Sequence, residues 1–203
     1  MAKPAAVIVG AGIGGICAAI SLREAGYDNI LIFDRNAGVG GVWFENRYPG
    51  CACDVPIPLY QLSFAPGYAW NHTFPRAAEI QSYVEGVVDQ FQLRPSLRLS
   101  EAVVSARWDE TAKLWHIETD KGATLEAGVL VAAMGQLNRP AWPDLPGRDS
   151  FKGRSTHAAR WDDTITLKNK RVGVIGSAAS AVQLIPEVAK LAKEGYEFLM
   201  IGH

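Results

Sequence analysis

The apolar positions of this chain fall into runs of two kinds, and their spacing lays out the elements. Ala5 to Val9 is continuously apolar, as in a strand buried on both faces of a parallel sheet. After an interruption at Gly10, apolar residues return from Ile13 to Ala25 as a helix that Gly26 ends, and Ile30 to Phe33 is a second buried strand closing on Asp34. Ile80, Val84, Val87, Val88 and Phe91 recur at helical spacing within Pro75 to Phe91, a stripe that packs on a core. Leu97 to Leu99, Val103 to Trp108 and Leu114 to Glu118 carry strand formers, with Asp109-Glu110-Thr111 as a turn, and predict a small antiparallel meander. Gly128 to Gly135 is a further buried strand. Pro140, Pro143 and Pro146 then exclude helix or central strand and mark a domain boundary. A second strand-turn-helix-strand follows, from Arg171 to Ile175, about Ala179 to Lys193, and Phe198 to Ile201.

These elements predict an α/β chain. A Rossmann-like parallel sheet with a small antiparallel meander spans residues 1–140, a linker spans 141–165, and an incomplete second Rossmann-like unit spans 166–203. The 203 residues suffice for a sizeable core. A net charge of −1 gives no electrostatic footprint for nucleic acid or acidic lipid, and no run is long enough to span a membrane. Three cysteines and the absence of a secretory leader point to a reducing, cytoplasmic setting. Cys51 and Cys53 form a CxC pair, but no further Cys or His cluster completes a metal site, and with Cys17 they are expected to be plain thiols.

The chemistry begins in the first turn. Gly10, Gly12 and Gly15 form GxGxxG between a strand and a helix: the first permits the tight turn, the second lets backbone amides approach a pyrophosphate, and the third allows close helix-strand packing. The positive end of the helix faces the phosphates. Asp34 lies 19 residues beyond Gly15, where an acid can accept a ribose hydroxyl, which leaves FAD or NAD for this site. The second turn, Gly176-Ser177-Ala178-Ala179-Ser180-Ala181, keeps only the first glycine, and the methyl of Ala178 stands where backbone must approach a pyrophosphate. Nucleotide architecture with weakened affinity is expected there.

Two longer segments are more specific. Residues 40–54, Gly-Gly-Val-Trp-Phe-Glu-Asn-Arg-Tyr-Pro-Gly-Cys-Ala-Cys-Asp, combine glycines, an aromatic pair, a proline turn and one carboxylate, as in a loop that wraps a large flat cofactor and sets Asp54 beside its reactive face. Residues 151–162 run Phe151-x-Gly153-x-x-x-His157-x-x-x-Trp161-Asp162. Taken alone, His157 and Trp161 have the ordinary structural roles of a satisfied histidine and a packing indole.

With both segments in order between two nucleotide turns, the chain resembles the Baeyer–Villiger monooxygenases over essentially its whole length. Gly41, Trp43, Tyr48, Pro49, Gly50 and Asp54 match one family fingerprint, and the histidine motif ending in Trp161-Asp162 matches the other. Flavin-containing and N-hydroxylating monooxygenases share the histidine motif but usually lack both Trp-Asp and the 43–54 loop. The resemblance implies an FAD enzyme that uses NADPH and O2 to insert oxygen next to a ketone carbonyl through a C4a-peroxyflavin, giving an ester or lactone.

By the same resemblance, Gly10, Gly12, Gly15, Asp34 and Arg35 would hold the ADP half of FAD, and Gly41, Val42 and Trp43 its phosphate and ribityl stretch. Asp54, Val55 and Tyr60 would lie near the isoalloxazine, Val103 near the adenine, and Gly135 with Gln136 would close the pocket. Gly176, Ser177 and Ala178 would face NADPH, while His157 and Trp161 would couple the nucleotide domains. Asp54 would tune an arginine beside the flavin, an electrostatic role.

In the family that arginine, the 2′-phosphate reader, the substrate pocket and the end of the FAD domain all come later than the counterpart of His203. A fragment, a chain completed by a partner or by self-association, and a binding-only remnant are the alternatives this raises. An exposed apolar patch or sheet edge is expected near residues 171–201, met by another chain or by disorder.

Overall fold

A computed structural model describes residues 5–192, and the chain divides into two compact units. One comprises the described part of Met1–Phe44 with Ile80–Asn138; the other comprises Glu45–Glu79 with the described part of Arg139–His203.

The first unit is built on four parallel strands. β1 (Ala6–Val9) pairs with β2 (Ile30–Asp34) on one side and with β7 (Val129–Ala132) on the other, and β3 (Leu97–Leu99) adds to the free edge of β2. Ala6, Val7, Ile8, Ile32 and Phe33 are buried, as central parallel strands covered on both faces require. Helix α1 (Ile13–Glu24) crosses from β1 to β2 and buries Ile16, Ala19 and Ile20. Helix α3 (Ala77–Gln90) buries Ile80, Val84, Val87 and Val88, the stripe expected from their spacing.

The meander differs from expectation in one strand. Leu97 to Leu99 pairs in parallel with Ile32 to Asp34 and belongs to the main sheet, because α3 returns the chain beside β2 as a crossover. The antiparallel sheet consists of β4 (Val103–Asp109), β5 (Leu114–Thr119) and β6 (Thr124–Ala127). Only two apolar residues in β6 carry its signal, and pairing with β5 secures it from Trp115↔Ala127 to Glu118↔Thr124. Trp108 and Trp115 face each other across β4 and β5 with ring centroids 5.5 Å apart.

In the second unit, Ala52 and Arg76 form an antiparallel bridge, and helix α4 (Ala179–Leu191) buries Ala181, Leu184 and Val188. No strand is assigned over Arg171 to Ile175, where Arg171 alone forms a bridge; the expected partner strand, Phe198 to Ile201, lies outside the described residues. Ile175, Val182 and Leu191 are exposed.

Candidate functional site

In the first unit, the turn after β1 is shaped by what cannot fit beside it. Gly10 has φ +109°, and a side-chain carbon there would lie 2.3 Å from the Ala133 carbonyl oxygen. A carbon on Gly15 would fall 1.8 Å from the Gly10 carbonyl oxygen, so the glycine is what lets α1 approach the turn. Gly12 and Gly41 meet backbone to backbone: a carbon built on Gly41 would lie 3.1 Å from the Gly12 Cα. Gly14, in the first turn of α1, has open space around it. The Gly12 N-cap makes no side-chain capping bond and the first turn holds no acid, so the positive end of α1 is uncompensated by its own residues. Closely approaching backbone at an uncapped helix start fits the pyrophosphate of a dinucleotide.

Asp34 does more than the spacing implied. Its Oδ2 accepts the Ala11 amide at 2.7 Å and its Oδ1 accepts the Asn36 amide at 2.8 Å, with the residue 8% exposed. The carboxylate therefore staples the glycine turn to β2, and each oxygen keeps a lone pair for a ribose hydroxyl. Arg35 donates to the Asn138 carbonyl at 2.8 Å. Gln81 was invisible as a site residue: its Nε2 donates to the Val39 carbonyl at 2.7 Å and to Glu85 at 2.8 Å, while its buried Oε1 packs where a Gly40 side chain would stand. Helix α2 (Val42–Glu45) follows, with the Trp43 amide bonded to the Gly40 carbonyl at 3.2 Å. Val103 is partly buried at the start of β4, whereas Gly135 and Gln136 are exposed.

The second unit holds both fingerprints from Glu45 onward. Residues 51–57 are laced to 73–77: Ala77 donates its amide to the Cys51 carbonyl at 2.9 Å, Cys53 to Pro75 at 2.8 Å and Ile57 to Thr73 at 2.9 Å. Glu79 organises that second strip, accepting from the Asn71 amide at 2.8 Å, bonding the His72 ring at 2.7 Å and receiving the Arg76 amide at 3.3 Å. Burial works against its ionisation, but hydrogen bonds from Asn71, His72 and Arg76 outweigh it and hold the carboxyl down at about 2.

Asp54 stands at the exposed corner of this frame. The buried Cys53 Sγ accepts the Val55 amide at 3.4 Å across the corner, and the Asp54 carboxylate makes no hydrogen bond or ion pair among the described residues. Tyr60 caps a single 3₁₀ turn at Ile57–Leu59. Tyr48, 6% exposed, donates its hydroxyl to Gln183 of α4 at 2.8 Å.

The histidine fingerprint folds as its own tight loop. His157 Nδ1 accepts the Ala159 amide at 3.1 Å, and its ring meets Trp142 edge-on at 5.5 Å. Thr156 Oγ1 accepts the Asp162 amide at 3.1 Å and donates to the Arg160 carbonyl at 2.9 Å. Arg160 reaches Glu45, inside the first fingerprint, at 3.1 Å. Hydrogen bonds from the Thr164 side chain and amide, with Arg154 at 2.6 Å, lower the Asp162 carboxyl. Trp161 is half-buried. Gly176, Ser177 and Ala178 lead into α4, where Ala178 is the N-cap with no side-chain capping bond and no acid in the first turn.

The sequence profile of the pyridine nucleotide-disulphide oxidoreductase family matches residues 7–197. A Baeyer–Villiger monooxygenase of Streptomyces coelicolor is 46% identical over 181 residues, covering 89% of this chain and 35% of the relative. Another from Pseudomonas aeruginosa is 42% identical over 184 residues, covering 91% and 35%. Among solved structures, cyclohexanone monooxygenase with ε-caprolactone superposes with a TM-score of 0.87 at 36% identity, covering 96% of this chain and 38% of that one. An oxidised steroid monooxygenase bound to NADP gives 0.86 at 38% identity, covering 98% and 38%. The chain thus spans little more than a third of the length of these relatives. It belongs to the pyridine nucleotide-disulphide oxidoreductase family and is a homologue of the Baeyer–Villiger monooxygenases.

Proposed function

We propose that this chain supplies the FAD-binding machinery and the start of the NADPH-binding machinery of a Baeyer–Villiger monooxygenase acting on a small-molecule ketone. When bound, FAD reduced by NADPH transfers one oxygen atom of O2 to the ketone, giving an ester or lactone, and the other atom leaves as water. Gly10, Gly12, Gly15 and the start of α1 hold the pyrophosphate through backbone amides, Asp34 accepts a ribose hydroxyl, and Arg35 flanks it. Gly41, Val42 and Trp43 are assigned to the ribityl stretch, Asp54, Val55 and Tyr60 to the flavin ring, and Val103, Gly135 and Gln136 to the rim of the nucleotide site. Gly176, Ser177 and Ala178 hold the second dinucleotide. His157 and Trp161 are positioning residues that couple nucleotide binding to the flavin. The domain division follows: 1–140 serves FAD and 166–203 NADPH, joined by 141–165. A reducing, cytoplasmic setting is proposed from three free cysteines.

The observation that carries this reading is the laced loop that leaves Asp54 as an exposed carboxylate without a partner among the described residues. Such a charge is available to an incoming cation, which is what tuning an arginine requires. The test is the visible spectrum of the purified chain, followed by NADPH oxidation with and without ketone. Flavin absorbance with ketone-stimulated NADPH consumption and ester formation is the expected result for a protein carrying the later segments. Flavin without ketone-dependent turnover supports a binding-only role, and a chain that holds no flavin under any condition overturns the assignment.

A further inference from the structure

Ala52 is bonded on two opposite edges. On one side its neighbours reach the 73–77 strip, through the Cys51 carbonyl and the Cys53 amide. On the other, both backbone groups of Ala52 itself go to one side chain: Gln183 Nε2 donates to the Ala52 carbonyl at 2.8 Å, and Gln183 Oε1 accepts the Ala52 amide at 3.2 Å. This is the bond pattern a neighbouring strand would supply, delivered by a carboxamide projecting from a helix. The same Oε1 accepts the Tyr48 hydroxyl at 2.8 Å, so one amide closes three bonds with residues 131 to 135 positions away. At Gly50, φ is +81° and a side-chain carbon would lie 2.5 Å from the Gln183 carbonyl oxygen, so the turn meets the α4 backbone where only glycine fits.

We infer that Gln183 is the positioning residue for Asp54, acting as a surrogate strand that fixes the 48–53 segment to the helix beginning at the Gly176–Ala178 turn. Asp54 follows Ala52 by two residues, and Cys53 between them is buried and bonded to Pro75, so the corner has no slack once Ala52 is held. Gln183 lies five residues beyond the Ala178 N-cap. A shift of α4 on filling the second nucleotide turn therefore reaches the Asp54 corner through one rigid side chain. Among the common side chains, glutamine is the one of this length that donates and accepts at once; glutamate cannot donate while ionised, and leucine does neither. Burial pushes the Tyr48 hydroxyl up to about 12, which keeps it a donor throughout the working range.

This inference rests on the proposed role of Asp54, and the experiment separates the two. Gln183→Leu, Gln183→Glu and Tyr48→Phe are compared with the wild-type chain after FAD reconstitution, by amide hydrogen exchange and by the flavin absorbance change on adding NADP+. Both Gln183 variants are expected to retain FAD and the protection of α3 and β1, while exchange at Ala52 to Val55, corrected for intrinsic rate, rises at least about tenfold, equivalent to about 1.4 kcal/mol of local stability. The NADP+-induced flavin change falls with it, and Tyr48→Phe gives a smaller effect because the Ala52 bonds remain. In Gln183→Glu, protection returns as the pH falls toward the carboxyl's own pKa, since the protonated acid donates again. Unchanged exchange at Ala52 to Val55 in Gln183→Leu overturns the inference. So does a rise spread over the whole chain, or failure of acid to restore Gln183→Glu. A wild type that holds no flavin overturns the functional assignment instead, and the exchange comparison still decides the clamp.

Discussion

The Asp34 carboxylate holds the Ala11 amide at 2.7 Å, 23 residues back along the chain, and so ties the glycine turn to the end of the neighbouring strand. With Asn36 on its other oxygen, the acid shapes the turn from within the protein itself. Asp34→Asn turns an acceptor into a donor against one of these amides. We expect a loss of about 2 kcal/mol in stability, the scale of a buried hydrogen bond to a charged group, together with loss of flavin on gel filtration. Urea denaturation of the apo chain separates the two effects: an unchanged midpoint would show that the acid serves only the ligand.

Two glycines of the same turn should respond oppositely. Gly10→Ala combines a positive φ with a clash against the Ala133 carbonyl, and we expect a loss of roughly 3 kcal/mol or failure to fold. Gly14→Ala meets open space inside α1 and should gain up to about 1 kcal/mol from helix propensity. Thermal unfolding of the pair checks both signs.

Acid should loosen the strip that supports Asp54. The Glu79 carboxyl lies at about 2 in the folded chain, below its ordinary value of 4.5. A lowered folded-state pKa contributes stability above the unfolded value that is lost as the pH falls from about 4.5 toward 2. Stability measured across this window should fall, and Glu79→Gln should flatten that part of the profile while lowering stability at neutral pH.

The second nucleotide turn can be improved. Ala178 is the N-cap of α4 with an extended backbone, φ −76° and ψ −179°, so glycine is tolerated there and caps at least as well as alanine. If its methyl keeps the backbone from the pyrophosphate, Ala178→Gly should lower the Kd for NADP+ by up to about tenfold, or about 1.4 kcal/mol, without loss of helix stability. Titration calorimetry decides it, and an unchanged Kd would clear the methyl of blame.

Most of the architecture was legible along the chain. The runs at Ala5 to Val9 and Ile30 to Phe33, the stripe from Ile80 to Val88 and the Gly10–Gly15 turn are local patterns, and local patterns survive in the tertiary structure because burial and backbone sterics act residue by residue. The direction of Leu97 to Leu99 was not legible, since a three-residue strand carries no mark of its partner and only the crossover through α3 made it parallel. β6 escaped notice for a related reason: its four residues, only two of them apolar, become a strand through pairing with β5.

The site divides in the same way. Residue types and spacing alone determined the dinucleotide turn, the position of Asp34, the two fingerprints and the family they resemble. Tertiary structure decided what holds them: the two hydrogen bonds that Asp34 accepts, the packing of Gln81 against Gly40, the ion pair from Arg160 to Glu45, and the single amide of Gln183 that completes the frame around Asp54. Apart from Asn36, two residues from Asp34, those partners lie 23 to 135 residues apart, at distances where no periodicity connects them. Hydrogen-bond complementarity between remote backbone segments exists only once the chain has folded.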